Sequence, residues 1–400
     1  MPPAKVKVKK NVKDQACAKQ TIVQVPRQIP VPKASSKLFY GSDCSGLDAG
    51  ALALGRLSPF GHLFASEVDP SYRKVFQETH PTCKIVFEDC LKKRNLFPIT
   101  QFMEQDPKDV LVYTSGFPCQ PYSRQGLRQG QHDQQGRAQV VWGCLDAIQQ
   151  TKPTFFVLEN VADLARASSF EGIFRDILDM LNLIGNGLYT IHWTILDSYE
   201  VGNVPASRER VYIVGVRKDR QVRSWDWPQP IRPPPLDRIL VPRSNADKIA
   251  LTSLSDTALR NVNRAIQIIM SKKGRWYCEP WVVDLMPAAS FGTNVTYNKL
   301  PTITKSHAAG LWLMHKQDKV RREELLAAQG IRSGEVKIPA AVADGKIFEM
   351  IGNSFTATVL ERLFSVLLPA VGFNCSGRSR CSRFCSHAQV DRSTTCHIGT

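Results

Sequence analysis

From Leu38 onward the chain alternates short apolar runs with amphipathic stretches. Runs at 38–43, 62–67, 84–88, 109–115, 154–159, 190–197 and 211–217 have strand-like length, bounded by polar or turn-forming residues. Helical patterns separate most of them. The clearest spans 171–184, where Ile173, Phe174, Ile177, Leu178, Leu181 and Ile184 share one face. Strand and helix in alternation predict a parallel, doubly wound α/β sheet. The alternation breaks at 225–242, where six prolines lie among Trp225, Trp227 and several arginines. A basic helix is expected around 256–273, and residues 301–370 return to a globular composition. The pattern predicts a second, basic module inside or beside an α/β domain, with no internal repeat.

Charge sharpens this division. The 400 residues carry a net +16. Residues 1–37 hold nine Lys/Arg and one acid, residues 217–300 fourteen and seven, and residues 371–400 four and one. The rest is close to neutral. Basic segments set against a neutral core suit a polyanion-binding protein. Residues 1–36, Lys-rich with Pro26, Pro30 and Pro32, read as a disordered arm. The first 15 residues lack the apolar stretch of a secretory signal, and no run of 18 apolar residues offers a membrane-spanning helix. Eleven cysteines without an export signal read as reduced thiols.

Candidate chemistry gathers at the ends of the expected strands. The first strand runs into Cys44-Ser45-Gly46-Leu47-Asp48-Ala49-Gly50, where glycines let a ligand approach the backbone. Glu67 ends the next strand, 21 residues after Gly46, a spacing at which an acid reaches ribose hydroxyls. Asp89 ends the third, placed to accept from an adenine amino group. No Gly-Lys-Ser/Thr loop is present to cradle a triphosphate. Gly116-Phe117-Pro118-Cys119-Gln120-Pro121 follows the strand 109–115, so Cys119 is aimed at the crevice. A single Cys can equally be a small buried hydrophobe. Glu159 emerges from the very apolar run Phe155–Leu158, a candidate proton donor or a helix N-terminal acid. Arg208 and Arg210 lie at the amino end of strand 211–217. They meet Cys119 and Glu159 only if that strand runs antiparallel, as a hairpin from 190–197 permits.

In this order, these motifs resemble the cytosine-C5 DNA methyltransferases over residues 37–371, together with Pro301-Thr302-Ile303-Thr304 and Gly352-Asn353-Ser354. Ala65-Ser66-Glu67-Val68 looks most like the animal de novo enzymes. The resemblance implies a Rossmann-like, doubly wound, mostly parallel sheet with one antiparallel strand, plus a small basic target-recognition region. It implies a catalytic domain at 37–217 and 299–371 and a recognition region at 218–298, which leaves a Cys-rich flexible tail at 372–400 outside the resemblance. It implies S-adenosyl-L-methionine against Cys44, Gly46, Gly50, Glu67, Val68, Asp89, Cys90, Pro118, Asn353 and Ser354. It implies catalysis by Cys119, Glu159, Arg208 and Arg210 on a flipped cytosine of DNA, with no metal required. Two departures stand out. Ala206 occupies a position where the family usually has Gln, and Gly41, Ser42 and Asp43 stand where the first strand is usually more apolar.

Two alternatives remain at this level: a tRNA cytosine-C5 methyltransferase of the same chemistry, and an inactive DNA-binding relative. The location would be nuclear in a eukaryote and cytoplasmic otherwise. In the tail, Cys375, Cys381, Cys385, His387, Cys396 and His397 lack the paired spacing of zinc fingers, so a tail of reduced thiols is the favoured reading.

Overall fold

The computed structural model describes residues 36–92, 96, 106–118, 139–286 and 292–375. Cys119, Gln120, the arm and the tail beyond Cys375 lie outside them. In chain order come β1 (Leu38–Asp43), α1 (Ala49–Gly55), β2 (Gly61–Ser66), α2 (Pro70–Thr79), β3 (Ile85–Phe87), β4 (Val110–Ser115), α3 (Val140–Thr151) and β5 (Phe155–Val161). Then follow α4 (Asp163–Arg166), α5 (Glu171–Leu183), β6 (Tyr189–Asp197), α6 (Ser198–Val201), β7 (Glu209–Arg217), α7 (Asp256–Ser271), β8 (Trp281–Asp284) and β9 (Val295–Tyr297). The chain continues through β10 (Leu311–Leu313), β11 (Asp318–Lys319), α8 (Arg322–Ala328), α9 (Asp344–Asn353) and α10 (Ala357–Ala370). All seven expected strands form, with ends shifted by a residue or two.

These seven strands make one sheet in the order β3-β2-β1-β4-β5-β7-β6. Neighbours from β3 to β5 are parallel, while β7 runs antiparallel to both β5 and β6. The single reversal comes from the β6–β7 hairpin, so the fold is a mostly parallel, Rossmann-like sheet with one antiparallel strand. Both faces are covered because successive strand residues point to opposite sides. Tyr40, Val112, Phe155 and Val157 pack with α1, α2 and α10 through Leu54, Val75 and Leu363. Phe39, Leu111, Phe156 and Leu158 pack with α3 and α5 through Ile148, Ile177 and Leu181.

A second, antiparallel sheet has the order β11-β10-β8-β9. Val262, Ala265 and Ile269 of α7 pack on one of its faces against Val283 and Trp312. From the other face, Val282, Leu311 and Leu313 enter the core of the large sheet. The small sheet therefore takes β10 and β11 from beyond residue 298. The proline-rich stretch lies on the main core: Trp225, Trp227 and Leu236 pack there, and Arg362 donates to the Gln229 carbonyl at 2.9 Å. Among the described residues no helix is long and apolar enough to cross a membrane.

Candidate active site

The chain lays down β1, β2 and β3 outward in one direction, then returns to place β4 on the other side of β1. Outside the carboxyl ends of the strands, such a switch point opens a crevice. The turn after β1 is tight, with Cys44, Gly46 and Asp48 at φ 53°, 52° and 50°. Gly46 N–H donates to one Glu67 carboxylate oxygen at 2.9 Å, and Asp69 N–H donates to the other at 3.0 Å. Glu67 is only 8% exposed, and burial pushes its carboxyl up from the usual range. A side chain at Gly46 would meet open space, so this turn is uncovered on that side.

Gly50 behaves differently. A Cβ there would collide with the Tyr40 hydroxyl and press on Thr114. This glycine lets α1 lie close to the sheet. The other expected cofactor residues are placed as follows. Val68 is 70% exposed beside Glu67. Asp89 is half-buried and accepts from Leu91 N–H at 2.9 Å, and Cys90 is buried next to it. Pro118 is half-buried. Asn353 is exposed, with its side chain on the Tyr72 hydroxyl of α2. The Ser354 hydroxyl donates to the Phe355 carbonyl at 2.9 Å.

The reacting end lies one strand further. Glu159, 7% exposed, lies near the carboxyl end of β5. Its Oε1 is 3.1 Å from Arg210 Nε and 3.8 Å from Arg208 Nη2. The antiparallel register makes this possible, because Val161 pairs with Arg210 across β5 and β7. No donor among the described residues hydrogen-bonds Glu159 Oε1, so charge alone holds it. Its Oε2 faces Gly116, where a Cβ would stand 3.6 Å away. Gly116 opens the loop that leads through Phe117 and Pro118 to Cys119. Arg208 Nη1 donates to the carbonyls of Ile303 and Gly352 at 2.9 and 3.0 Å. It thereby draws 301–304 and 352–354 to the same place.

Two further residues belong here that the sequence reading did not assign. Asn160 donates from Nδ2 to the Phe117 carbonyl at 3.1 Å and braces the loop before Cys119. Its signal was its position beside Glu159. Phe355 packs its ring over Gly116, and nothing in the sequence marked it beyond following Ser354. The arrangement offers a buried carboxylate between two guanidiniums, with one oxygen facing Gly116, and a glycine turn whose backbone N–H is held by Glu67.

Residues 41–368 match the family model for C-5 cytosine-specific DNA methylases. The chain belongs to that family. Relatives include the type II methyltransferase M.BsuFI of Bacillus subtilis, 33% identical over 267 residues, 66% of this chain and 59% of that protein. The chain thus spans less than two thirds of that relative's length. The type II methyltransferase M.SsoII of Shigella sonnei is 24% identical over 367 residues, 87% of this chain and 86% of that protein. Among solved structures, the Entamoeba histolytica methyltransferase EhMeth shares the fold at TM-score 0.56 and 15% identity, covering 84% of this chain and 98% of that one. The S. pombe Dnmt2 methyltransferase does so at 0.54 and 15%, covering 84% and 100%.

Proposed function

We propose that this DNA methylase transfers a methyl group from S-adenosylmethionine to C5 of a cytosine in DNA, through a covalent bond between Cys119 and C6. The observation that carries this reading is the Glu159 carboxylate, buried, held by Arg210 and Arg208, and aimed at the start of the Cys119 loop. The cleft suits the cofactor: it is open over Gly46, and Glu67 keeps lone pairs beyond its two backbone donors for ribose hydroxyls. Gly46, Glu67, Asp89, Pro118 and Asn353 would hold it. Bound there, S-adenosylmethionine supplies the electrophilic methyl group that C5 takes up.

The chain's residues make C5 able to react. Cys119, as thiolate, adds to C6 and pushes electron density onto the ring. Glu159 hydrogen-bonds or protonates N3 as that charge develops. Arg210, with Arg208 behind it, stabilises charge at O2 and keeps Glu159 in place. Loss of the C5 proton then expels Cys119 by β-elimination. In a duplex the base must first leave the stack, and the basic small-sheet region supplies the phosphate contacts.

Duplex DNA with 5-fluorocytosine at a target site tests this, because fluorine at C5 prevents the final elimination. With S-adenosylmethionine present, a covalent adduct should form and map to Cys119. Glu159→Gln should slow trapping by about 10² or more, while DNA binding changes little. An adduct at another cysteine, or trapping indifferent to Glu159→Gln, overturns the assignment. Adducts with fluorinated tRNA but not DNA would overturn the substrate, and DNA binding with neither adduct nor methyl transfer would overturn the activity.

A further inference from the structure

Cys44 lies in the turn after β1, Cys90 in the loop after β3 and Cys144 in α3. Far apart in the chain, they converge in space: all three Sγ atoms lie within 4.8 Å of one another. Among the described residues no other trio of His, Cys, Asp or Glu meets that closeness. Sulfurs sharing one ion at about 2.3 Å stand about 3.8–4.0 Å apart, so only a small inward movement separates this trio from a coordination shell. Cys144 and Cys90 are buried, while Cys44 is half-buried and leaves a way in. The packing around them is specific. Gly143 lets α3 rest on Cys90, since a Cβ there would stand 2.8 Å from the Cys90 carbonyl and 3.4 Å from its sulfur. The Ser115 hydroxyl, 3.1 Å from Cys144 Sγ, steadies the third sulfur.

We propose that Cys44, Cys90 and Cys144 bind one soft metal cation as thiolates. Three S–H bonds break, three metal–sulfur bonds form, and the protons pass to solvent. Among the described residues no imidazole or carboxylate joins the trio, and an all-sulfur set selects soft d10 ions. Cu⁺ is satisfied by three sulfurs, whereas Zn²⁺ would add a water on the half-exposed Cys44 side. The ion joins the glycine turn, the loop after β3 and α3, and so ties down three segments that no secondary structure links. None of this depends on the methyl-transfer reading, and the test needs no activity.

The full-length, reduced protein is titrated with Zn²⁺, and anaerobically with Cu⁺, against a chromophoric chelator. One equivalent of at least one ion should bind and should be lost in both Cys44→Ala and Cys144→Ala. Cys44→Ala alters only a half-buried turn position, so its thermal midpoint checks that the fold survives. Timed alkylation with peptide mapping locates the ion: metal should slow labelling of Cys44 about tenfold or more and leave the exposed Cys278 unchanged. Binding of either ion with this protection supports the site, and the ion bound names its occupant. No binding, stoichiometry unchanged in both variants, or protection confined to residues 375–397 would mean that the trio is only core packing.

Discussion

At the scale of single residues, the polar first strand has a physical explanation. Tyr40 donates to Asp48 at 2.5 Å and Ser42 donates to it at 2.9 Å, while Asp43 accepts from Ser66 at 2.6 Å and Tyr113 at 2.7 Å. Gly41-Ser42-Asp43 therefore builds a hydrogen-bonded floor beneath the glycine turn, in place of the apolar run expected there. His62 sits in the same floor, ringed by Tyr40, Phe60, Phe76 and His80. Burial pushes it down to about 4, outweighing Asp48 at 3.5 Å, whose oxygens already serve Tyr40, Ser42 and Ala51. The folded state thus keeps His62 neutral where the unfolded chain takes a proton. Its contribution to stability is present above about pH 6.5 and is lost as pH falls towards 4, by up to about 3 kcal/mol. Urea midpoints of the wild type and His62→Gln should converge over that window. Parallel pH profiles would refute the buried neutral histidine.

At the scale of elements, α7 divides its surface cleanly. One face is buried against the small sheet, and the opposite face exposes Arg260, Asn263, Arg264 and Gln267. If this face meets DNA phosphates, each lost arginine contact lowers the slope of log affinity against log salt by about 0.9. Arg260→Ala combined with Arg264→Ala should flatten the slope by up to about 2, with little change in stability, since both lie on the solvent side. An unaltered slope across a salt titration would remove α7 from the interface.

At the scale of the whole molecule, the candidate site depends on segments hundreds of residues apart being held together, and Arg208 is the tie. It reaches Ile303, Gly352 and Glu159 from within the core. Arg208→Ala would strand two buried carbonyls, at a cost of about 1–3 kcal/mol each. Among the described residues, the Arg210 guanidinium donates to its neighbouring Glu209 carbonyl, at 2.7 Å, besides pairing with Glu159. Chemical denaturation should therefore show Arg208→Ala as clearly less stable than Arg210→Ala, while both lose 5-fluorocytosine trapping. Equal stability losses would leave Arg208 without its tying role.

The sequence by itself determined the strands, the helices over 171–183 and 256–271, and the antiparallel β7 that Arg208 and Arg210 required. These follow from local periodicity and from where motifs fall on strand ends, both of which survive packing. The match over 41–368 bears out the family read from those motifs. Only the tertiary structure decided which side chains touch. Gly46 and Gly50 share one motif, yet one faces open space and the other is sealed against Tyr40, because α1 packs on the sheet at Gly50 and not at Gly46. Asn160, Phe355 and the boundary of the small sheet were hidden for the same reason. The meeting of Cys44, Cys90 and Cys144 was hidden most of all. It arises from the crossovers that bring β1, β3 and α3 together, and no local pattern records a distance between segments so far apart in the chain.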